Sequence, residues 1–244
     1  MAESNHLESF AEKIKNIELI KNVWNELADF ATPLGINALT YYHMPPPGSQ
    51  DFSEKYFTSI GFEQELADEY RRNHRHFRCP FTSRSNPLTE PIFWRDVFDT
   101  LVLSDEDRER LDTLYCRNGT SNGLVLPVFG PNSRNGCVVF RFLDPNASFN
   151  RGKIHTLKLA AYLAHLQFCH LRAKDIGETV NLTRREKEVL TWVARGKSNS
   201  VIADIVGISQ HTVNGYLRRI YLKTGTSDRT SAAMRAVGDS LIDY

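Results

Sequence analysis

Apolar residues recur at three- and four-residue steps through Phe10, Ile14, Ile17, Ile20, Val23, Trp24, Leu27 and Phe30. That spacing predicts one amphipathic helix over the first 35 residues, ended by Pro33 and Gly35. Residues 37–44 read as a strand. The following Pro45-Pro46-Pro47-Gly48 is a loop that neither a helix nor a strand can continue. Residues 56–60 are a second short strand. Phe62, Leu66 and Tyr70, four residues apart, place a helix over 62–73, and 80–91 is loop-rich. Trp94, Val97, Phe98 and Leu101 make a helical stripe over 92–101. Residues 104–115 form another helix, with Ser104 as its cap. Residues 123–129 and 136–143 read as the strands of a hairpin across 130–135. Residues 151–174 form a long helix that is apolar on more than one side, so it packs on the sheet and also against another subunit.

Residues 1–173 therefore mix helices with three to five hairpin-connected strands. The expected class is α+β: an N-terminal α-β-α sandwich around an antiparallel sheet. Residues 174–181 form a polar linker, and 182–244 hold helical signals only, so an all-α four-helix domain follows. Its first helix is capped by Thr183, with Glu186 three residues on in a capping-box arrangement, and Gly196 closes it. Ser198 caps the second helix, whose core residues are Ile202, Ile205 and Val206. Gly207-Ile208-Ser209 is a tight turn, and Ser209 caps a third helix over 210–224. Gly225 ends that helix, and Ser227 opens a fourth. A short helix, a Gly-containing turn and a second helix make a helix-turn-helix.

The third helix has two faces. Val213, Leu217 and Ile220 point inward. Gln210, Asn214 and Arg218 lie along a second stripe, with His211 and Thr212 beside it. Arg forks onto guanine edges, and Asn or Gln pairs with adenine. Arg219, Lys223, Arg229 and Lys197 are placed to meet phosphates. Gly215 is a local conflict, because a glycine inside a helix costs about 1 kcal/mol. It either lets the backbone approach a partner closely or is a tolerated weak spot.

Charge sharpens this division. The chain of 244 residues carries a net +1, but residues 181–244 hold ten basic and six acidic side chains, so a basic tail sits on an acidic body. That asymmetry points to a polyanion, double-stranded DNA, as the partner of the tail. Cys79, Cys116, Cys137 and Cys169 are widely spaced with no CxxC pair, which fits a reducing cytoplasm. No run of 18 apolar residues is present, so no membrane span is expected, and the polar N-terminus is not a secretory signal. His74, His76 and Cys79 lack a fourth metal ligand. No orienting third residue accompanies them as catalytic groups. Neither a metal, a cofactor nor an enzymatic activity is expected.

The tail resembles the LuxR-type helix-turn-helix. The resemblance is carried by Leu182-Thr183-Arg184-Arg185-Glu186-Lys187-Glu188-Val189-Leu190, Ala194 and Gly196, Ser198-Asn199 with Ile202-Ala203, and Gly207-Ile208-Ser209 with Thr212-Val213-Asn214. Lys223-Thr224-Gly225 stands where the family has Lys-Leu-Gly. The body resembles the autoinducer-binding domain of quorum-sensing regulators through Pro91-Ile92-Phe93-Trp94 and through Gly123, Pro127 and Gly130. The resemblance implies a transcription regulator acting as a homodimer or with a related regulator, and contact with RNA polymerase if it activates. It also implies a ligand-facing set of Phe62, Leu66, Tyr70, Cys79, Trp94 and Gly123.

In that family a Trp, a Tyr and an Asp before Pro hold an acyl-homoserine lactone. Here Tyr70 keeps the Tyr, but Leu66 replaces the Trp and Cys79 precedes Pro80 in place of the Asp. A neutral thiol is a poor acceptor, and losing a charge-assisted bond costs roughly 1.5–3 kcal/mol. Three readings follow: a different small apolar ligand, the lactone itself, or no ligand. In the last case Phe57, Phe62, Phe77, Phe81, Phe93, Phe98, Phe140 and Phe142 fill the cavity. A body that binds a partner protein is the rival from another class.

Overall fold

The computed structural model describes residues 2–54, 56–62, 89–100, 102–106, 108–109, 122–144, 150–176 and 180–242. The chain divides into two compact units. One holds Met1–Met44 and Lys55–Ala173; the other holds Pro45–Glu54 and Lys174–Tyr244. The inclusion of Pro45–Glu54 in the second unit is not suggested by chain order.

The N-terminal stripe forms two helices rather than one: α1 (Ala2–Lys15) and α2 (Ile20–Ala31). Apolar periodicity runs across the break because both helices bury Phe10, Ile14, Val23, Trp24, Leu27 and Phe30 in the same core. Leu19 adopts an extended conformation. The Ile17 carbonyl at the break accepts from Gln167 Nε2 at 2.7 Å, so a side chain supplies the bond that helix continuation would have made.

Five strands follow: β1 (Ile36–Met44), β2 (Phe57–Ile60), β3 (Ile92–Phe93), β4 (Gly123–Phe129) and β5 (Asn135–Phe142). They form one antiparallel sheet in the order β2-β1-β5-β4-β3. The stripe at 92–101 was expected to be all helix. Instead Ile92 and Phe93 pair with Val125 and Leu124, and helix α3 (Trp94–Thr100) begins after them. The open edge of β4 supplies backbone partners that a periodicity count does not register. The helix expected over 62–73 lies outside the described residues. Of that expected over 104–115, the first turn is described, with the Arg108 amide donating to Ser104 O at 2.9 Å.

Helix α4 (Arg151–Asp175) runs through the expected linker start. It packs with α1 and α2 on one face of the sheet, through Leu157, Ala160, Ala161, Ala164 and Phe168. Trp24 stacks on Tyr41 with ring centroids 3.7 Å apart. The opposite face of the sheet carries a second core of Tyr42, Ile92, Trp94, Val97, Val125, Cys137 and Val139. Directly paired strand residues share a face. The register therefore lays two rows across this side: Ser59, Thr40, Val139, Val125 and Ile92, then Phe57, Tyr42, Cys137 and Pro127.

The second unit contains α5 (Arg184–Ala194), α6 (Asn199–Val206), α7 (Gln210–Thr224) and α8 (Arg229–Gly238). Thr183, Ser198 and Ser209 cap the first three through their side chains. Asp228, not Ser227, caps the fourth, accepting from the Ser231 amide at 2.9 Å. A carboxylate accepts more strongly than a hydroxyl, and here it also takes the Ser231 hydroxyl at 2.6 Å. Gly207 sits at φ +71°, the left-handed turn between α6 and α7. The core is Val189, Leu190, Ile202, Val213, Leu217, Ile220, Ala232 and Ala236. Ile205, expected in it, is 45% exposed; Ile202 and Ala203 already fill the inner face of α6.

Within this unit Pro45–Glu54 lies across the end of α8. A Cβ on Gly238 would come within 2.2 Å of Ser49 N, and one on Gly48 within 2.3 Å of Met234 O. Two glycines thus let backbone meet backbone. Asp239 Oδ1 accepts from the Gln50 amide at 2.9 Å, and Asp239 also pairs with Arg235.

Candidate nucleic-acid interface and ligand face

Helix α7 buries Val213, Leu217 and Ile220 and leaves Gln210, His211, Thr212, Asn214, Arg218 and Arg219 exposed. The inward stripe fixes its rotation, so Gln210, Asn214 and Arg218 form one outward row at four-residue steps. Arg218 has no partner among the described residues. Its five donors are uncommitted.

Asn214 is positioned by a relay. Arg229 Nη1 donates to Asn199 Oδ1 at 2.8 Å, which turns the Asn199 amide nitrogen toward α7. Asn199 Nδ2 then donates to Asn214 Oδ1 at 2.8 Å, leaving Asn214 Nδ2 as the outward donor. Arg229 also bonds the Lys197 carbonyl. Arg229, expected at a phosphate, is instead a half-buried clamp between the start of α6 and the start of α8. The Lys197 side chain is exposed.

Two other basic residues are engaged with Glu186. Its side chain is 2% exposed, Lys223 Nζ lies 2.7 Å from Oε2, and Arg219 Nε lies 3.5 Å from Oε1. Glu186 Oε2 also accepts from the Thr183 amide at 2.8 Å, completing the capping box. Burial pushes this carboxyl up, but the Lys223 ammonium and the Thr183 bonds outweigh it and hold it below the usual glutamate range. Lys223 additionally donates to Asn181 O at 3.1 Å. The structure thus gives Lys223 an internal task that spacing alone did not reveal. The Arg219 guanidinium also lies 4.6 Å over the Tyr216 ring.

Gly215 has open space where a Cβ would stand. The fold does not need a glycine there, and Gly215→Ala is expected to stabilise the protein by about 1 kcal/mol. Urea unfolding measures that gain. A simultaneous loss of DNA affinity in a mobility-shift titration places the Gly215 backbone against the DNA.

In the first unit, Trp94 and Gly123 meet on the sheet face away from α1, α2 and α4. A Cβ on Gly123 would fall 2.7 Å from the Trp94 ring, so the glycine admits the indole against β4. Phe62 is half-buried against the same core, with the Arg141 guanidinium 4.5 Å over its ring. Leu66, Tyr70 and Cys79 lie outside the described residues, as do His74, His76, Phe77 and Phe81. The phenylalanine filling expected for this face is only partly available. Phe140 and Phe142 are buried in the opposite core, and Phe93 packs against that same core.

A polar cluster went unrecognised in the sequence. His165 is fully buried. Its Nε2 donates to Arg134 O at 2.9 Å, so Nδ1 accepts the Tyr41 hydroxyl at 2.8 Å. His43 Nδ1 and Cys169 Sγ complete the cluster, 3.4 Å from the Tyr41 hydroxyl and 3.7 Å from His165 Nε2. The signal was available only as alternation: Tyr41 and His43 share a strand face with Leu39.

The first unit is an α+β domain built on an antiparallel sheet, and the second is an all-α helix-turn-helix domain. Residues 180–236 match the luxR family of bacterial regulatory proteins, and residues 20–168 match the autoinducer binding domain. The chain belongs to the LuxR family of transcriptional regulators, in its autoinducer-binding-domain architecture. The putative HTH-type transcriptional regulator y4qH of Sinorhizobium fredii is 32% identical over 167 residues, 68% of this chain and 50% of that relative. The chain thus spans half the length of that relative. The transcriptional activator protein AhyR of Aeromonas hydrophila is 26% identical over 181 residues, 71% of this chain and 68% of AhyR. The fold matches Escherichia coli SdiA with a TM-score of 0.72 at 20% identity, covering 98% of each chain. It also matches SdiA in complex with octanoyl-rac-glycerol, with a TM-score of 0.72 at 17% identity, covering 98% of this chain and 96% of that one. Among the described residues no helix is long and apolar enough to cross a membrane, and no group of three His, Cys, Asp or Glu is placed to hold a metal ion.

Proposed function

We propose that this regulator reads double-stranded DNA in the major groove with the Gln210, Asn214 and Arg218 row of α7. The single observation that carries this reading is the division of α7, with its apolar stripe buried and this row exposed and uncommitted at Arg218. His211, Thr212 and Lys197 flank the row, and Arg219 reaches the phosphates while its Nε faces Glu186. One helix reads only a few base pairs, so two copies bind a two-fold operator. On α4, Leu159 is 53% and Leu166 46% exposed, seven residues apart on one face, and they form the self-association surface of the first unit. A cytoplasmic homodimer is the assembly this supports.

Arg218→Ala is expected to lower operator affinity and flatten the preference for operator over random DNA, by about 1–3 kcal/mol of discrimination. Parallel titrations on both DNAs measure it. A uniform loss on both, with a salt slope lowered by about one, makes Arg218 a phosphate contact instead.

The first unit is proposed to receive a small, largely apolar molecule on the sheet face that carries Trp94 and Gly123. Octanoyl-rac-glycerol, seen with SdiA, is a molecule of that kind. Leu66 and Cys79 stand where the family has a donor and a carboxylate, so the usual lactone is held less well than by ordinary members. Mass spectrometry of denatured protein tests this. A stoichiometric extracted compound supports a receptor, and an empty, DNA-competent dimer refutes it.

A further inference from the structure

An arginine carries only donors, so the atom of Asn199 that faces Arg229 Nη1 at 2.8 Å must be its oxygen. That choice is passed along. Asn199 turns its nitrogen to Asn214, and Asn214 meets it with Oδ1 at 2.8 Å. A side-chain amide has nearly the same shape in both orientations, so the Arg229 cation sets which end of Asn214 faces outward. Arg229 is itself held, since Nη2 donates to the Lys197 carbonyl. It is half-buried, whereas Asn214 is exposed. Asn214 Nδ2 has no partner among the described residues.

We propose that Arg229 and Asn199 are specificity-determining positioning residues: they make Asn214 a donor toward DNA, so that it selects a base acceptor. The proposal rests on the reading of DNA by α7 above. In the major groove guanine N7 and O6 and thymine O4 are acceptors, cytosine offers only its N4 donor, and adenine has one of each. The usual asparagine–adenine contact needs the oxygen and the nitrogen on one base edge. With Oδ1 held on Asn199, that two-point contact is lost and a one-point contact from Nδ2 remains. Asn214 therefore ranks guanine and thymine above cytosine and does not single out adenine. Neither Arg229 nor Asn199 needs to touch the base. The residue type at 214 alone predicts adenine, and its two neighbours change the answer.

The test uses the full chain and a pool of duplexes randomised in sequence. Wild type first enriches its own site, and single-base variants of that duplex are then titrated with each protein. One position per half-site is expected to favour guanine or thymine over cytosine by about fivefold, and Asn214→Ala is expected to flatten it. Asn199→Asp keeps an acceptor for Arg229, and an acidic residue suits the first turn of α6. A carboxylate only accepts, so Asn214 must turn its nitrogen inward and show Oδ1 to the DNA. The ranking at that position is then expected to reverse, with cytosine or adenine about threefold above guanine and thymine. Asn199→Ala frees the Asn214 amide, and adenine is expected to rise at the same position by about fivefold. The wild-type ranking kept in both Asn199 variants, with any loss of affinity equal on every duplex, makes the relay a structural clamp. That result overturns the proposal while Asn214 still reads a base. If wild type enriches no site, or Asn214→Ala leaves every position unchanged, the base reading by Asn214 fails and the relay falls with it.

Discussion

Acidification from pH 7.5 to pH 4 is expected to remove about 3 kcal/mol of folding stability through His165 alone. The buried imidazole is pushed down from 6.5 to about 4. Desolvation is the main cause. The Arg134 carbonyl opposes it by accepting from Nε2, and the neighbouring His43 adds to the lowering. The unfolded chain therefore takes up the proton before the folded one does. Above pH 6.5 both states are neutral at this residue and nothing is lost. Between 6.5 and 4 each unit of pH costs about 1.4 kcal/mol, and below 4 the loss is complete.

Tyr41, His43 and Cys169 face the ring, and none of them carries a negative charge to stabilise an imidazolium. Burial holds the Tyr41 hydroxyl well above the usual tyrosine range, so it stays protonated. Urea unfolding at half-unit pH steps measures the slope. His165→Gln retains a donor for Arg134 O and is expected to be less stable at pH 7.5 but flatter between pH 6.5 and 4. A wild-type slope absent from that window would show that His165 is solvated.

Glu186→Ala is expected to destabilise the DNA-reading unit by about 2–3 kcal/mol. One side chain closes the α5 capping box and receives Lys223 from α7, so two helices lose their tie together. The loss is modest because the Lys223 side chain is 37% exposed and water replaces part of the pairing. Glu186→Gln can still accept from the Thr183 amide but loses the charge, and is expected to fall about midway. The carboxyl is held below its usual range, so its contribution is present at neutral pH and lost as pH falls through the folded value. That loss begins only below the ordinary glutamate range. Denaturation of both variants at pH 7.5 separates the cap from the charge. A loss below about 0.5 kcal/mol for Glu186→Ala would make the cluster a surface feature.

The second unit was legible almost residue by residue. Its caps are local bonds between residues three apart, and its core follows the turn of an isolated helix. Thr183, Ser198, Ser209 and the buried stripe Val213, Leu217 and Ile220 therefore stand where spacing places them. Even there, Ser227 against Asp228 shows that adjacent acceptors compete on strength. Ile205 shows that an apolar residue on a helix need not face the core.

The first unit was legible as a class but not in its partners. Amphipathic period predicts that a segment is helical, not that Leu19 breaks it, because the break is supported by Gln167 from a helix 150 positions away. The sheet order β2-β1-β5-β4-β3, the placing of Phe140 and Phe142 away from the face that carries Trp94, and the burial of His165 against Tyr41 all depend on long-range pairing. So do the engagement of Arg229 and Lys223 inside the helical unit and the packing of Pro45–Glu54 on α8. Sequence alone determined which segments coil, where they are capped and which family of readers they belong to, since those follow from interactions a few residues apart. Only the tertiary structure decided which polar groups are engaged and which, like Arg218, have no partner among the described residues, because a side chain's partner is set by what the fold brings beside it.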